Sequence, residues 1–76
     1  MSPNEPMPIQ SVSDLGQAIL ARRKALKMTQ DELSSLSGIT QANLSIIERG
    51  ASRGRLETYL KICSLIGIDL FMVSRS

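Results

Sequence analysis

The sequence contains no histidine and no tryptophan, a single cysteine, and only Tyr59 and Phe71 as aromatic side chains. Without histidine, the side chain that most readily moves protons or holds metals near neutral pH is missing. No cluster of metal-ligating residues and no phosphate-binding glycine loop takes its place. Cys63 stands alone, so no internal disulfide can form, and a reducing cytoplasm is the expected location. It falls on an apolar helical face with no base beside it, which predicts a buried thiol rather than a nucleophile. The scattered carboxylates are accounted for as helix caps or ion-pair partners. Catalysis is not expected, and neither is a cofactor. No apolar run approaches the ~20 residues of a membrane span. No basic start followed by an apolar stretch suggests a signal peptide. With so few aromatics, the core must be aliphatic, built from Leu, Ile, Ala and Met.

What is present fits one small globular domain. Of the 76 residues, 42% are hydrophobic and 21% charged, enough for a core that only just offsets the entropy of ordering the chain. The net charge of +2 is modest, but it is unevenly spread. Arg22, Arg23, Lys24, Lys27, Arg49, Arg53 and Arg55 crowd the middle of the chain, against Asp31, Glu32 and Glu48 in the same stretch. A locally basic middle suits a polyanionic partner, and a solvated charged surface has the same composition.

Residues 1–11 hold Pro3, Pro6 and Pro8, show no apolar period and carry no Lys or Arg. They read as a flexible, passive arm. The remainder is expected to be all-α. Ser13 offers an N-cap with Asp14 in the first turn, and Leu15, Ile19, Arg22 and Leu26 follow at helical spacing to about Lys27. Thr29 with Glu32 forms a capping box for a second helix over about 30–37, burying Leu33 and Leu36 and stopped by Gly38. Thr40 caps a third helix over about 41–49, with Leu44 and Ile47 inward and Gly50 at its end. A fourth helical stretch, about 55–66, repeats Leu56, Leu60, Cys63 and Ile66, with Tyr59, Ile62 and Leu65 alongside. Gly67 closes it. Residues 68–73 are too short for another helix and rich in strand formers.

The stretch from Thr29 to Gly50 carries the functional signal. Two helices of about two turns joined by a tight glycine turn cannot lie flat on each other. They cross steeply, and the second projects its N-terminal end outward, a shape that fits the DNA major groove. An ordinary helical hairpin inside a small bundle has the same spacing.

The residues themselves narrow this choice. Gln30-Asp31-Glu32-Leu33, Gly38-Ile39-Thr40 and Leu44-Ser45-Ile46-Ile47-Glu48-Arg49-Gly50 resemble the signature of the lambda-repressor/Cro (Xre) helix-turn-helix class. The resemblance continues through Leu56–Ile62 to Gly67 and covers about residues 15–68. Ser34 departs from it, standing where the class usually has a tightly packed Ala. The end of the chain, Gly67-Ile68-Asp69-Leu70-Phe71-Met72-Val73, resembles the C-terminal strand of HipB-type antitoxins, as Gln41–Ser45 resembles their recognition helix. That likeness implies a strand paired across a homodimer, repression of the protein's own operon, and a HipA-like kinase toxin as partner. It also implies a lambda-repressor-like bundle of four to five short helices over residues 12–67, with residues 68–76 as a dimerising strand and tail.

Roles follow for individual side chains. Gln41, on the first turn of the third helix, has an amide that can donate and accept at once, as the N7 and N6 edge of adenine requires. Thr40, Ala42, Asn43 and Ser45 share the exposed end as candidate base contacts, with Ala42 suited to a thymine methyl. Ile46 lies near the same edge or is partly buried. Gln30 begins the second helix, where free backbone N–H groups attract a phosphate. Arg49, Arg53 and Arg55 flank the motif as further phosphate contacts, while Lys24 and Lys27 read as solvated charge. By the class pattern, Arg23 pairs with Glu48 to tie the first helix to the third, leaving Arg22 for phosphate. Asp69, Leu70, Phe71, Met72 and Val73 would form the dimer strand. The expected function is a repressor of double-stranded operator DNA and HipB-like antitoxin. A stand-alone phage-type or restriction-modification controller is the alternative, and an adaptor that has lost DNA binding is disfavoured by Gln30, Gln41 and the local basic charge.

Overall fold

The computed structural model describes residues 8–51 and 54–75. Among these residues the chain is all-helical, with four helices: α1 (Val12–Ala25), α2 (Gln30–Ser37), α3 (Gln41–Glu48) and α4 (Leu56–Leu65). Most of the expected arm, residues 1–7, lies outside the described residues.

The first helix starts earlier than its sequence suggests. Ser11, in extended conformation, accepts a hydrogen bond from the Asp14 backbone N–H at 3.0 Å and is the N-cap in place of Ser13. Asp14 in turn accepts from the Gln10 backbone N–H at 2.9 Å. Ser13 lies inside the first turn, packed where a side chain on Gly50 would have to go. At the other end α1 stops at Ala25 because Lys27 takes a left-handed conformation, φ 56°, which no helix can continue through. Leu26, expected on the inner face, is consequently exposed.

The motif helices form as their caps direct. Thr29 accepts from Glu32 N–H at 3.0 Å, and the Glu32 carboxylate accepts from Thr29 N–H at 3.0 Å. Gly38 ends α2 at φ 76°, a left-handed position that suits glycine. Two serines then tie the turn. The Ser34 hydroxyl donates to the Ile39 carbonyl at 2.6 Å, and the buried Ser37 hydroxyl accepts from Ile39 N–H at 3.1 Å. Thr40 caps α3 by accepting from Asn43 N–H at 3.2 Å.

Leu15, Ile19, Leu33, Leu44, Ile47, Tyr59, Ile62, Cys63 and Ile66 form the core, with Met28, Ile39 and Ile68 packed against it. Helix α1 packs on α3, and α2 on both α3 and α4. The α1–α3 approach is close because Gly16 lies against the Ile47 carbonyl, where a Cβ would overlap it. In α4 the apolar positions cover too much of the helix surface for all to face inward. Tyr59, Ile62 and Cys63, with Ile66 at the C-cap, are buried, while Leu56, Leu60 and Leu65 are exposed, as is Leu36 on α2.

The expected C-terminal strand is not formed. Ile68 N–H donates to the Cys63 carbonyl at 2.8 Å and Ile68 is half-buried, but Asp69–Val73 are exposed without regular structure. A strand needs a neighbour to complete its ladder, and an all-helical chain supplies none.

Candidate nucleic-acid interface

The exposed end of α3 presents Thr40, Gln41, Ala42 and Asn43 to solvent, with Ser45 and Ile46 half-buried one turn on. All of these but Ile46 are side chains the sequence nominates as base contacts. Leu44 and Ile47 point the opposite way and are fully or almost fully buried, which fixes the rotation of the helix about its own axis.

Beneath this face lies a polar network centred on Glu48, which is 4% exposed. Arg23 Nε donates to Glu48 Oε2 at 2.6 Å and Arg23 Nη2 to Oε1 at 3.0 Å. Arg23 Nη1 donates to the Met28 carbonyl at 2.8 Å, joining the α1–α2 connection to the pair. Gln30 Nε2 donates to Glu48 Oε1 at 2.8 Å. Burial pushes the Glu48 carboxyl up, but the bonds from Arg23 and Gln30, with the Arg23 and Lys24 charges, outweigh it and hold the group below the ordinary carboxylate value. The bond to Glu48 likewise raises Arg23 further. Glu48 thus joins α1, α2 and α3 through one ionised carboxylate. The pair inferred from the class pattern is formed, and Gln30 belongs to the same network.

The arginines divide. Arg22 does not stand free for a phosphate: half-buried, its Nε donates to the Ile66 carbonyl at 2.8 Å, capping the end of α4. It is one residue from Arg23 and so about 100° around the helix, which turns it toward α4. Arg49 is exposed at the C-terminal end of α3, its Nε donating to the Ser45 carbonyl at 3.3 Å. Arg55 precedes α4 and pairs with Glu57 at 3.3 Å, both side chains well exposed. Arg53 lies outside the described residues. Lys24 and Lys27 are exposed.

Sequence reasoning passed over three contributors. Gly16 brings α1 against α3, and an isolated glycine inside a helical pattern was the available signal. Ser34 uses the hydroxyl that distinguishes it from the class alanine to lock the turn before α3. The Gln30–Glu48 bond joins residues 18 positions apart and leaves no local trace in the sequence. Among the described residues no group of His, Cys, Asp or Glu could hold a metal, and no helix is long and apolar enough to cross a membrane.

Comparison with known proteins agrees with this geometry. The helix-turn-helix family model matches residues 19–72. An uncharacterized HTH-type transcriptional regulator of Sinorhizobium fredii is 34% identical over 59 residues, 78% of this chain and 30% of its own length. A second such regulator, from Haemophilus influenzae, is 34% identical over 55 residues, 72% of this chain and 56% of its own. The chain therefore spans only part of the length of these relatives. Among solved structures, a HipB variant in its complex with the O2 20mer superposes with a TM-score of 0.83 at 26% identity, covering 95% of this chain and 100% of that one. A HipA–HipB–O2–O3 complex contains a chain with a TM-score of 0.81 at 27% identity, covering 93% of this chain and 100% of that one. The expected likeness to Xre-class regulators and to HipB is met in both sequence and structure. With the motif helices, the glycine turn and the family match falling on the same residues, the chain belongs to the helix-turn-helix family.

Proposed function

We propose that this chain is a sequence-specific repressor of double-stranded operator DNA, that it acts as a two-fold homodimer, and that it is the HipB-like antitoxin of an autorepressed operon with a HipA-like kinase toxin as partner. The observation that carries the DNA reading is the outward end of α3, polar and exposed at Thr40–Asn43 while its root is anchored through Glu48 to two other helices. A reader must hold its side chains in a fixed register with the base edges, and the anchored root supplies that. Gln41 is the principal base contact in this reading, with Thr40, Ala42, Asn43 and Ser45 around it. Gln30, Arg49, Arg53 and Arg55 grip phosphates. The dimer rests on residues 69–73 pairing antiparallel across the axis, which would cover Phe71, Met72 and Val73, all exposed in the single chain. The toxin partner is supported by the likeness to HipB in its operator complexes and to a chain of the HipA–HipB–O2–O3 complex. The stand-alone repressor remains the second reading because both curated relatives are named only as regulators.

Titration of selected and random duplexes at several salt concentrations tests the DNA reading. Gln41→Ala is expected to cost about 1–3 kcal/mol per half-site on the selected duplex and little on random DNA. Arg49→Ala is expected to weaken both and to flatten the salt dependence by about one unit per lost contact. Equal losses on both duplexes for Gln41→Ala would refute the assignment of α3 as reader. Truncation after Gly67 is expected to give a monomer in sedimentation, and a persisting dimer would overturn the strand pairing. Co-purification with a co-expressed HipA-like kinase decides between the antitoxin and the stand-alone repressor.

A further inference from the structure

The outward end of α3 is not only polar but uncharged. From Thr40 to Ile47 the chain has no Lys, Arg, Asp or Glu. The exposed functional groups there are the amides of Gln41 and Asn43, the methyl of Ala42 and the hydroxyl of Thr40. Each base pair demands a particular partner in the major groove. Guanine shows two acceptors, O6 and N7, and is held in bidentate fashion by a cationic arginine or lysine. Cytosine shows the N4 donor, which a carboxylate accepts. Adenine shows N6 as donor beside N7 as acceptor, a pair that a side-chain amide matches, and thymine adds the C5 methyl. The entering end of α3 holds two amides and a methyl, and lacks both the cation for guanine and the carboxylate for cytosine.

Among the described residues, neither charge at the end of α3 fills the gap. Glu48 is buried and bonded to Arg23 and Gln30. Arg49 lies on the same outward stripe as Ala42 but seven residues on, about 10 Å along the axis, with its Nε on the Ser45 carbonyl. Thr40 is held in place as the cap of α3 through its bond from Asn43 N–H.

We propose that α3 reads A·T pairs: the base-specific core of each operator half-site is a short A·T block, with adenine held by the Gln41 or Asn43 amide and a thymine methyl against Ala42. This rests on α3 being the base reader proposed above, and it names the base pairs that reader takes. Specificity then comes from amide pairing and methyl contact, and G·C pairs at those positions leave amide groups imperfectly matched.

Selection by the full chain from a library of randomised duplexes tests this, followed by titration of the enriched duplex with single-atom changes. The expected product has two inverted half-sites, each with an A·T block. Replacing its adenines by 7-deazaadenine, or its thymines by uracil, is expected to weaken binding by about tenfold per lost contact, within the range of one base-specific pair. The 7-deazaadenine effect at one position should vanish in Gln41→Ala. Arg49→Ala should lower affinity without changing the base preference. Inverted half-sites whose affinity depends on G·C pairs, or a base preference altered by Arg49→Ala, would overturn this inference and leave α3 as a DNA-contacting helix. Failure to enrich any sequence, or an enriched site equally well bound by Gln41→Ala, would overturn the reader itself and this inference with it.

Discussion

Replacing Glu48 by alanine removes the acceptor for two Arg23 bonds and one Gln30 bond in a single step. What remains is an arginine 8% exposed, with only the Met28 carbonyl to satisfy it. Breaking one half of a buried pair in this way costs about 3–5 kcal/mol, chiefly because the surviving charge is stranded. A domain of this length has about 4–11 kcal/mol in total, so Glu48→Ala should remove about a quarter of it or more. Urea denaturation followed by circular dichroism reads the effect. With a slope of about 1 kcal/mol per molar urea, a loss of about 3 kcal/mol moves the midpoint by about 3 M. The double variant Arg23→Met/Glu48→Leu removes the stranded charge and fills the space with apolar atoms, so it should recover most of the loss. A Glu48→Ala midpoint within about 1 M of the wild type would refute the view that the pair is energetically buried. A double variant as unstable as the single would show that hydrogen-bond geometry, not charge desolvation, dominates.

The pH dependence should carry the same signature. The Glu48 carboxyl is held below its ordinary value of 4.5 in the folded chain, so the unfolded chain takes up its proton first. Its contribution is fully present above that value and is lost as pH falls through the folded one; an acid transition unchanged by Glu48→Gln would contradict this. Gly16→Ala sets a helix-propensity gain of up to about 1 kcal/mol against an overlap with the Ile47 carbonyl that costs about 1–3 kcal/mol or more, so thermal unfolding should occur at a lower temperature. A raised midpoint would mean that α1 and α3 are not held at this separation. Burial pushes the Cys63 thiol up, and a thiol reagent should label it only as fast as the chain opens; rapid labelling under native conditions would refute its place in the core.

Elements whose signals are local were legible in the sequence. Thr29, Glu32, Gly38 and Thr40 define the ends of α2 and α3 through bonds spanning three or four residues, and those ends lie within a residue of where the caps put them. Apolar residues were harder to place where they are in excess. Leu56 and Leu60 share the helical period of Cys63 and Ile66, so spacing alone could not say which side of α4 faces inward. Ser11 and Ser13 are both capping residue types ahead of the apolar period, and only the structure shows that Ser11 accepts from the Asp14 N–H. Arg22 and Arg23 look equivalent in the sequence, yet one caps α4 and the other holds Glu48, because 100° of helix rotation turns them to different neighbours. The Arg23–Glu48 pair was accessible only through family likeness, and the Gln30 bond not even through that.

That pair of adjacent arginines changes how the protein's charge should be counted. Arg22 and Arg23 both sit in the basic middle of the chain, but Arg23 is neutralised by the buried Glu48 carboxylate, while Arg22 keeps its charge and is turned inward onto the Ile66 carbonyl. Fewer cations than the composition suggests can displace counterions from a phosphate backbone, and binding to arbitrary DNA draws almost wholly on that displacement. Under the proposed reading, such a protein adheres weakly to the bulk of a chromosome. Fewer of its molecules are then sequestered on irrelevant sites, so a small cellular pool could suffice to occupy its own.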